Sequence, residues 1–261
     1  MTTADTLPVR IAEAGLDWIV PNWAVPPAVH ALVTTRSGGV SIGARRTMDL
    51  GGAESSDEAV AENRRRLCRF LPGDPHWLRQ VHGAEVAVLD ATSPATAWPC
   101  ADAAVTRTPD VICAVRIADC LPVFLADARG NTVAVAHAGW RGLAAGVLTT
   151  TLATMERLGS GPERLVAWLG PAIGPAAFEV GPEVRDAFCM RNDAALTCFT
   201  PGREGKWHAD LYALAALQLH EAGVRTANGG GLCTHADASR FFSYRRERDT
   251  GRMAALIWLS S

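Results

Sequence analysis

Between residues 111 and 136, three apolar, β-rich runs follow one another with only turn-length breaks: V-I-C-A-V-R-I at 111–117, L-P-V-F-L-A at 121–126 and T-V-A-V-A at 132–136. No helix-length segment separates them, which argues against a regular alternation of strand and helix. Helical patterns lie elsewhere. S-S-D at 55–57 reads as a cap for the amphipathic run at 58–71, which stops before Pro72 and Gly73. After Gly142, apolar residues recur at Leu143, Val147, Leu148 and Leu152, predicting one helix through Leu158. Residues 181–190 and 209–222 also read as helices. Further strands are expected at 77–78, 86–89, 165–169, 226–232 and 253–259, and residues 7–50 read as short strands and turns. The fold class predicted is α/β, α+β-like in character: a single compact domain with mixed β-sheets flanked by helices.

Bulk properties narrow the function. At 261 residues the chain can bury a substantial core, and a net charge of −2 supplies no global field for nucleic acid or an anionic membrane. Apolar runs are too short and broken to span a bilayer. The opening M-T-T-A-D-T-L-P-V-R has no basic n-region followed by an apolar h-region. Seven cysteines, an odd number with no C-x-x-C pair, do not suggest a disulfide framework. A cytoplasmic protein with reduced thiols is expected, most of them core residues.

Three residues stand out against that background. His82 in Q-V-H-G, Cys120 in A-D-C-L-P and His137 in V-A-H-A-G-W-R-G each sit where an apolar run meets turn residues. Two imidazoles and a thiolate are good zinc ligands, and three protein ligands leave a coordination position open, as catalytic zinc requires. Singly, each has a plainer reading: a hydrogen-bonded surface histidine or a buried thiol. Basic residues also meet turn chemistry. Arg36 precedes two glycines, Arg141 opens the segment after His137, and Tyr244 and Arg245 offer a ring face beside a fork of donors for an anion. Arg248 reads as ordinary charged surface.

The ordered motifs T-T-R-S-G-G-V-S, E-N-R, W-L-R-Q-V-H-G, C-A-V-R-I-A-D-C-L-P-V, A-V-A-H-A-G-W-R-G-L-A-A-G-V, W-L-G-P-A-I-G-P-A-A-F-E-V-G-P-E-V and F-F-S-Y-R-R-E-R-D-T-G-R-M-A closely resemble the bacterial peptidoglycan editing factor family, also called the laccase-domain or multicopper polyphenol oxidase family. The likeness runs from about Val20 to the C-terminus, leaving residues 1–19 as an expected N-terminal extension of one domain spanning 1–261. It implies that His82, Cys120 and His137 bind a metal, usually zinc. It also implies phosphorolysis of purine nucleosides, adenosine deamination and hydrolysis of an L-Ser-containing muropeptide precursor. Phosphate would be gripped by Arg36, Arg141 and Arg245, and Asp119 is the candidate proton carrier. Copper is the alternative ion, since divalent copper generally outranks zinc, but seven histidines are too few for a multicopper centre. One stretch departs from the family pattern: A-R-R-T-M-D-L-G-G-A-E-S-S-D at 44–57 lacks the usual Tyr, Asn and His-containing turn and has Asp49 where the Asn would be.

Two rival readings use the same residues. In one, Cys120 is the nucleophile of a metal-free hydrolase with His137 or His82 as base; two histidines, rather than one with an Asn or Asp partner, favour metal instead. In the other, Cys233 or His235 completes a four-ligand structural zinc site.

Overall fold

The computed structural model describes residues 6–52 and 55–261. Residues 1–5 of the expected extension and 53–54 of the divergent stretch lie outside the described residues. The strands that read as continuous apolar runs do so because both of their faces are covered. In β6 (Leu121–Asp127), Leu121, Val123 and Leu125 point into one apolar cluster while Phe124 and Ala126 point into another. β7 (Val133–Ala138) divides in the same way. Both lie at the centre of a six-stranded sheet whose antiparallel middle joins β6 to β8 (Leu165–Leu169) and β7 to β4 (Ala103–Thr106). Parallel pairs with β12 (Thr226–Gly229) and β3 (Val86–Leu89) form its edges.

A four-stranded sheet packs on the far face. Its order is β1 (Val29–Val33), β13 (Met253–Leu259), β5 (Cys113–Ile117) and β2 (His76–Trp77). Val115, Ile257 and Phe124 belong to the cluster between the two sheets, and Ala114, Leu256 and Trp258 face outward. That outer face is covered by α1 (Leu7–Glu13) and α2 (Glu58–Cys68), through Ile11 and Leu67. Asp57 caps α2 by accepting from the Ala59 N–H, as the S-S-D signal predicts. The free face of the six-stranded sheet is covered by α3 (Trp140–Ala145), α4 (Val147–Arg157), α5 (Pro182–Cys189) and α6 (Leu211–Glu221). The result is a mixed α/β architecture of four layers.

Several expectations are corrected. The helix expected through Leu158 is two helices, because Gly146 adopts φ 91° and ends α3 as an αL cap. Residues 7–50 hold a helix, α1, not only strands and turns. A third sheet of β9 (Glu179–Val180), β10 (Phe199–Pro201) and β11 (Trp207–Ala209) was not foreseen. Of the cysteines expected in the core, Cys113 and Cys198 are buried, whereas Cys100 is exposed.

Candidate metal centre and substrate cavity

Two of the three ligand candidates sit on connections that pass from one large sheet to the other. His82 lies between β2 and β3, and Cys120 is the last residue of the three-residue break between β5 and β6. His137 is the penultimate residue of β7, beside that break. Side-chain ligand atoms of all three lie within 4.8 Å of one another. The two imidazoles meet edge to face with centroids 4.9 Å apart. Tetrahedral zinc would hold such donors roughly 3.3–3.8 Å apart, a small contraction from this arrangement.

A residue the sequence reading passed over organises the trio. Asp102, fully buried at the mouth of β4, accepts from three successive backbone N–H groups: Val81 at 3.0 Å, His82 at 2.9 Å and Gly83 at 2.7 Å. These bonds fix the turn on which His82 sits at φ 60°, a left-handed conformation uncommon for a non-glycine residue. Nδ1–H of His137 donates to the same carboxylate at 2.9 Å, which turns Nε2 toward the other ligands. The one available signal was an acid leading an otherwise apolar strand, A-D-A-A-V.

The electrostatics follow from this packing. Burial would raise the Asp102 pKa, but hydrogen bonds from His137 and the Gly83 and Val81 amides prevail and lower it. Burial would likewise raise the Cys120 pKa, yet the His137 and His82 imidazoles bring it down to about 6. For His137 burial acts downward, and the Cys120 thiolate and Asp102 carboxylate raise it to about 9. Without a metal, these shifts favour a thiolate beside an imidazolium around neutral pH.

The donor set fits a metal, and the backbone is shaped around it. A Cβ on Gly139 would stand 2.7 Å from Cys120 Sγ and 3.4 Å from His82 Cδ2, so only glycine lets the strand-to-helix turn pass this close. Among the described residues these three form the one such ligand group, and Cys233 is not part of it. The Cys233 Sγ instead accepts from the Gly174 and Ala236 N–H groups at 3.2 and 3.4 Å. No fourth ligand from Cys233 or His235 joins the trio.

The trio forms part of the wall of a cavity of about 740 Å3. Arg141, Tyr244, Arg245 and Asp119 line it as well. The Arg141 guanidinium lies 4.6 Å from the Trp140 ring centroid, and Nη1 of Arg245 donates to the Glu179 carbonyl at 2.9 Å. Arg36 is not among the lining residues. Its guanidinium donates to the carbonyls of Arg46 and Ala238 and lies over Phe242, so it fastens loops together. Arg248, read from sequence as plain surface, does line the cavity and covers the Tyr244 ring at 5.2 Å. Arg116 and Arg252 also line it, although the sequence does not single them out. Asp49, in the divergent stretch, is not in the lining. It is buried and accepts from the Gly51 and Arg252 N–H groups, supporting the wall from behind.

The chain is similar to curated proteins along nearly its whole length. A protein named purine nucleoside phosphorylase from Pseudomonas aeruginosa is 49% identical over 244 residues, covering 93% of this chain and 98% of that protein. The purine nucleoside phosphorylase YfiH of Escherichia coli is 47% identical over 244 residues, with 92% and 98% covered. The crystal structure of a Neisseria meningitidis protein, 46% identical, superposes with a TM-score of 0.87 over 94% of this chain and all of that one. The family described as multi-copper polyphenol oxidoreductase laccase matches residues 30–260, and the chain belongs to it.

Proposed function

We propose that this chain is a zinc-dependent purine nucleoside phosphorylase that also deaminates adenosine, with the editing of L-Ser-containing muropeptide precursors as a further role. The observation that carries this reading is the convergence of His82, Cys120 and His137 on the wall of a cavity that Arg141 and Arg245 also line. Relatives that bear the phosphorylase name at nearly half identity support it. His82, Cys120 and His137 would hold the ion, with Asp102 fixing the His137 tautomer. When bound, zinc supplies Lewis acidity and makes water acidic enough to be a nucleophile near neutral pH.

The chain's own side chains supply the rest. Phosphorolysis needs an anion held beside the sugar, and Arg141 and Arg245 bring guanidinium groups suited to bidentate phosphate contacts. Tyr244, 45% exposed, presents an aromatic ring inside the same cavity to a purine. The cavity volume lies in the range of small-molecule sites. Product identification tests the reading. Metal-loaded protein incubated with adenosine and phosphate is expected to yield adenine, and inosine without phosphate. If neither appears, the nucleoside reading fails and the muropeptide becomes the substrate to assay.

A second reading has a specific observation in its favour. Cys120, His137 and Asp102 stand in the order of a nucleophile, base and orienting carboxylate, and the thiol is held at about 6. The acid partner that the sequence did not reveal is present. The same three groups describe a metal-free cysteine hydrolase, and metal dependence separates the two.

A further inference from the structure

Asp119 stands where three segments far apart in sequence meet. Its Oδ1 accepts from the Thr234 hydroxyl at 2.6 Å, and its Oδ2 accepts from the Arg245 N–H at 2.7 Å. Its carbonyl accepts from the Ile173 N–H at 2.9 Å. Asp119 is 8% exposed and Thr234 is fully buried. The backbone at 119 has φ 92°, a region that Asp and Asn occupy more readily than other side chains. The next residue is the ligand candidate Cys120. Arg245 is thus fastened at both ends, its N–H on Asp119 and its guanidinium on the Glu179 carbonyl over the Phe178 ring.

We propose that Asp119 is a positioning residue rather than a proton carrier: it locks the turn that bears Cys120 to the segment that bears Tyr244 and Arg245, and so keeps the metal centre and the anion-gripping wall in register. Each carboxylate oxygen already faces a donor. Both bonds are charge-assisted and strongest to the ionised carboxylate, which suits a fixed acceptor better than a group that passes a proton back and forth. The lock itself is independent of the substrate, and only its kinetic consequence rests on the phosphorylase reading.

Three variants of the full-length, metal-loaded protein test it: Asp119→Asn, Asp119→Ala and Thr234→Val. Asparagine keeps an oxygen for the Arg245 N–H, can donate to the Thr234 hydroxyl, and tolerates the left-handed backbone. Asp119→Asn is therefore expected to retain slow hydrogen exchange at the Arg245 amide and turnover within a fewfold of the parent. Asp119→Ala is expected to lose that protection and to bind inorganic phosphate roughly 10- to 150-fold more weakly, the loss expected for hydrogen bonds to a charged group. Thr234→Val removes one donor without altering residue 119, and is expected to raise exchange at Arg245 several-fold.

Unchanged exchange in both Asp119→Ala and Thr234→Val overturns the proposal; should Asp119→Ala fail to fold, Thr234→Val alone decides in the same way. The proposal is also overturned if Asp119→Asn keeps the amide protected and phosphate affinity intact while turnover falls by about 10²–10⁴, the signature of a lost general acid or base. If the parent protein binds no phosphate, the phosphorylase reading fails, and the exchange measurement still decides the lock.

Discussion

At the residue scale, the candidate metal ligands were legible because each combines a strong donor with a break in an apolar run. Asp102 was not legible: its importance comes from partners 19 to 35 positions away, the Gly83, His82 and Val81 amides and the His137 ring. Arg36 and Arg248 show the opposite failure. Both follow from where a guanidinium ends up, and sequence spacing does not encode that. Removing the Asp102 carboxylate with Asp102→Ala should weaken zinc binding at least 10- to 100-fold, as for other outer-shell partners of metal-bound histidines, measured by competition with a chromophoric chelator. The pKa directions give a second expectation. At pH 7 Cys120, held at about 6, is mainly thiolate, whereas His137, raised to about 9, is mainly protonated. Zinc binding at that pH must then release about one proton, largely from His137. Affinity should fall as pH drops, and more steeply below about 6, where the thiolate is protonated as well. Calorimetry in buffers of different ionisation enthalpy reads the proton count.

At the element scale, long strands were readable and short ones were not. β6, β7 and β13 announce themselves because six or seven successive residues are buried on both faces. β9, β10 and β11 are only two or three residues long, too short for any period to register, and their pairing is purely tertiary. In sequence the helix after His137 reads as continuous because its apolar spacing runs through Gly146, where the backbone turns left-handed between α3 and α4. A Cβ there would meet only the Thr149 Cβ at 4.0 Å, an ordinary contact, but at the wrong φ. Gly146→Ala is therefore expected to destabilise the fold by about 1–2 kcal/mol through backbone strain. Chemical denaturation should show a lower midpoint with an unchanged m-value.

At the scale of the whole molecule, the centre gathers side chains from connections that join the two large sheets. The connection from β2 to β3 leaves the four-stranded sheet and enters the six-stranded one, and so does the break between β5 and β6. An ion held by His82, Cys120 and His137 would tie those crossings to β7, so metal should stabilise the global fold as well as the site. At zinc 100-fold above its dissociation constant the gain is about 2.7 kcal/mol, provided the unfolded chain does not compete. That corresponds to a rise in Tm of roughly 5–10 °C for a chain of this size. His82→Ala and His137→Ala should abolish the rise while leaving the metal-free Tm nearly unchanged for the exposed His82.

If the Cys120 thiolate and the two imidazoles act by holding a metal, turnover must follow metal content, and measuring one against the other is the most direct test. Protein purified without added metal, stripped with a chelator and titrated with zinc is expected to lose adenosine turnover when stripped. Turnover should return in proportion to zinc bound, levelling at one ion per chain. Full turnover by protein carrying less than about a tenth of an ion per chain would contradict that role and identify Cys120, with His137 and Asp102, as a nucleophile working alone.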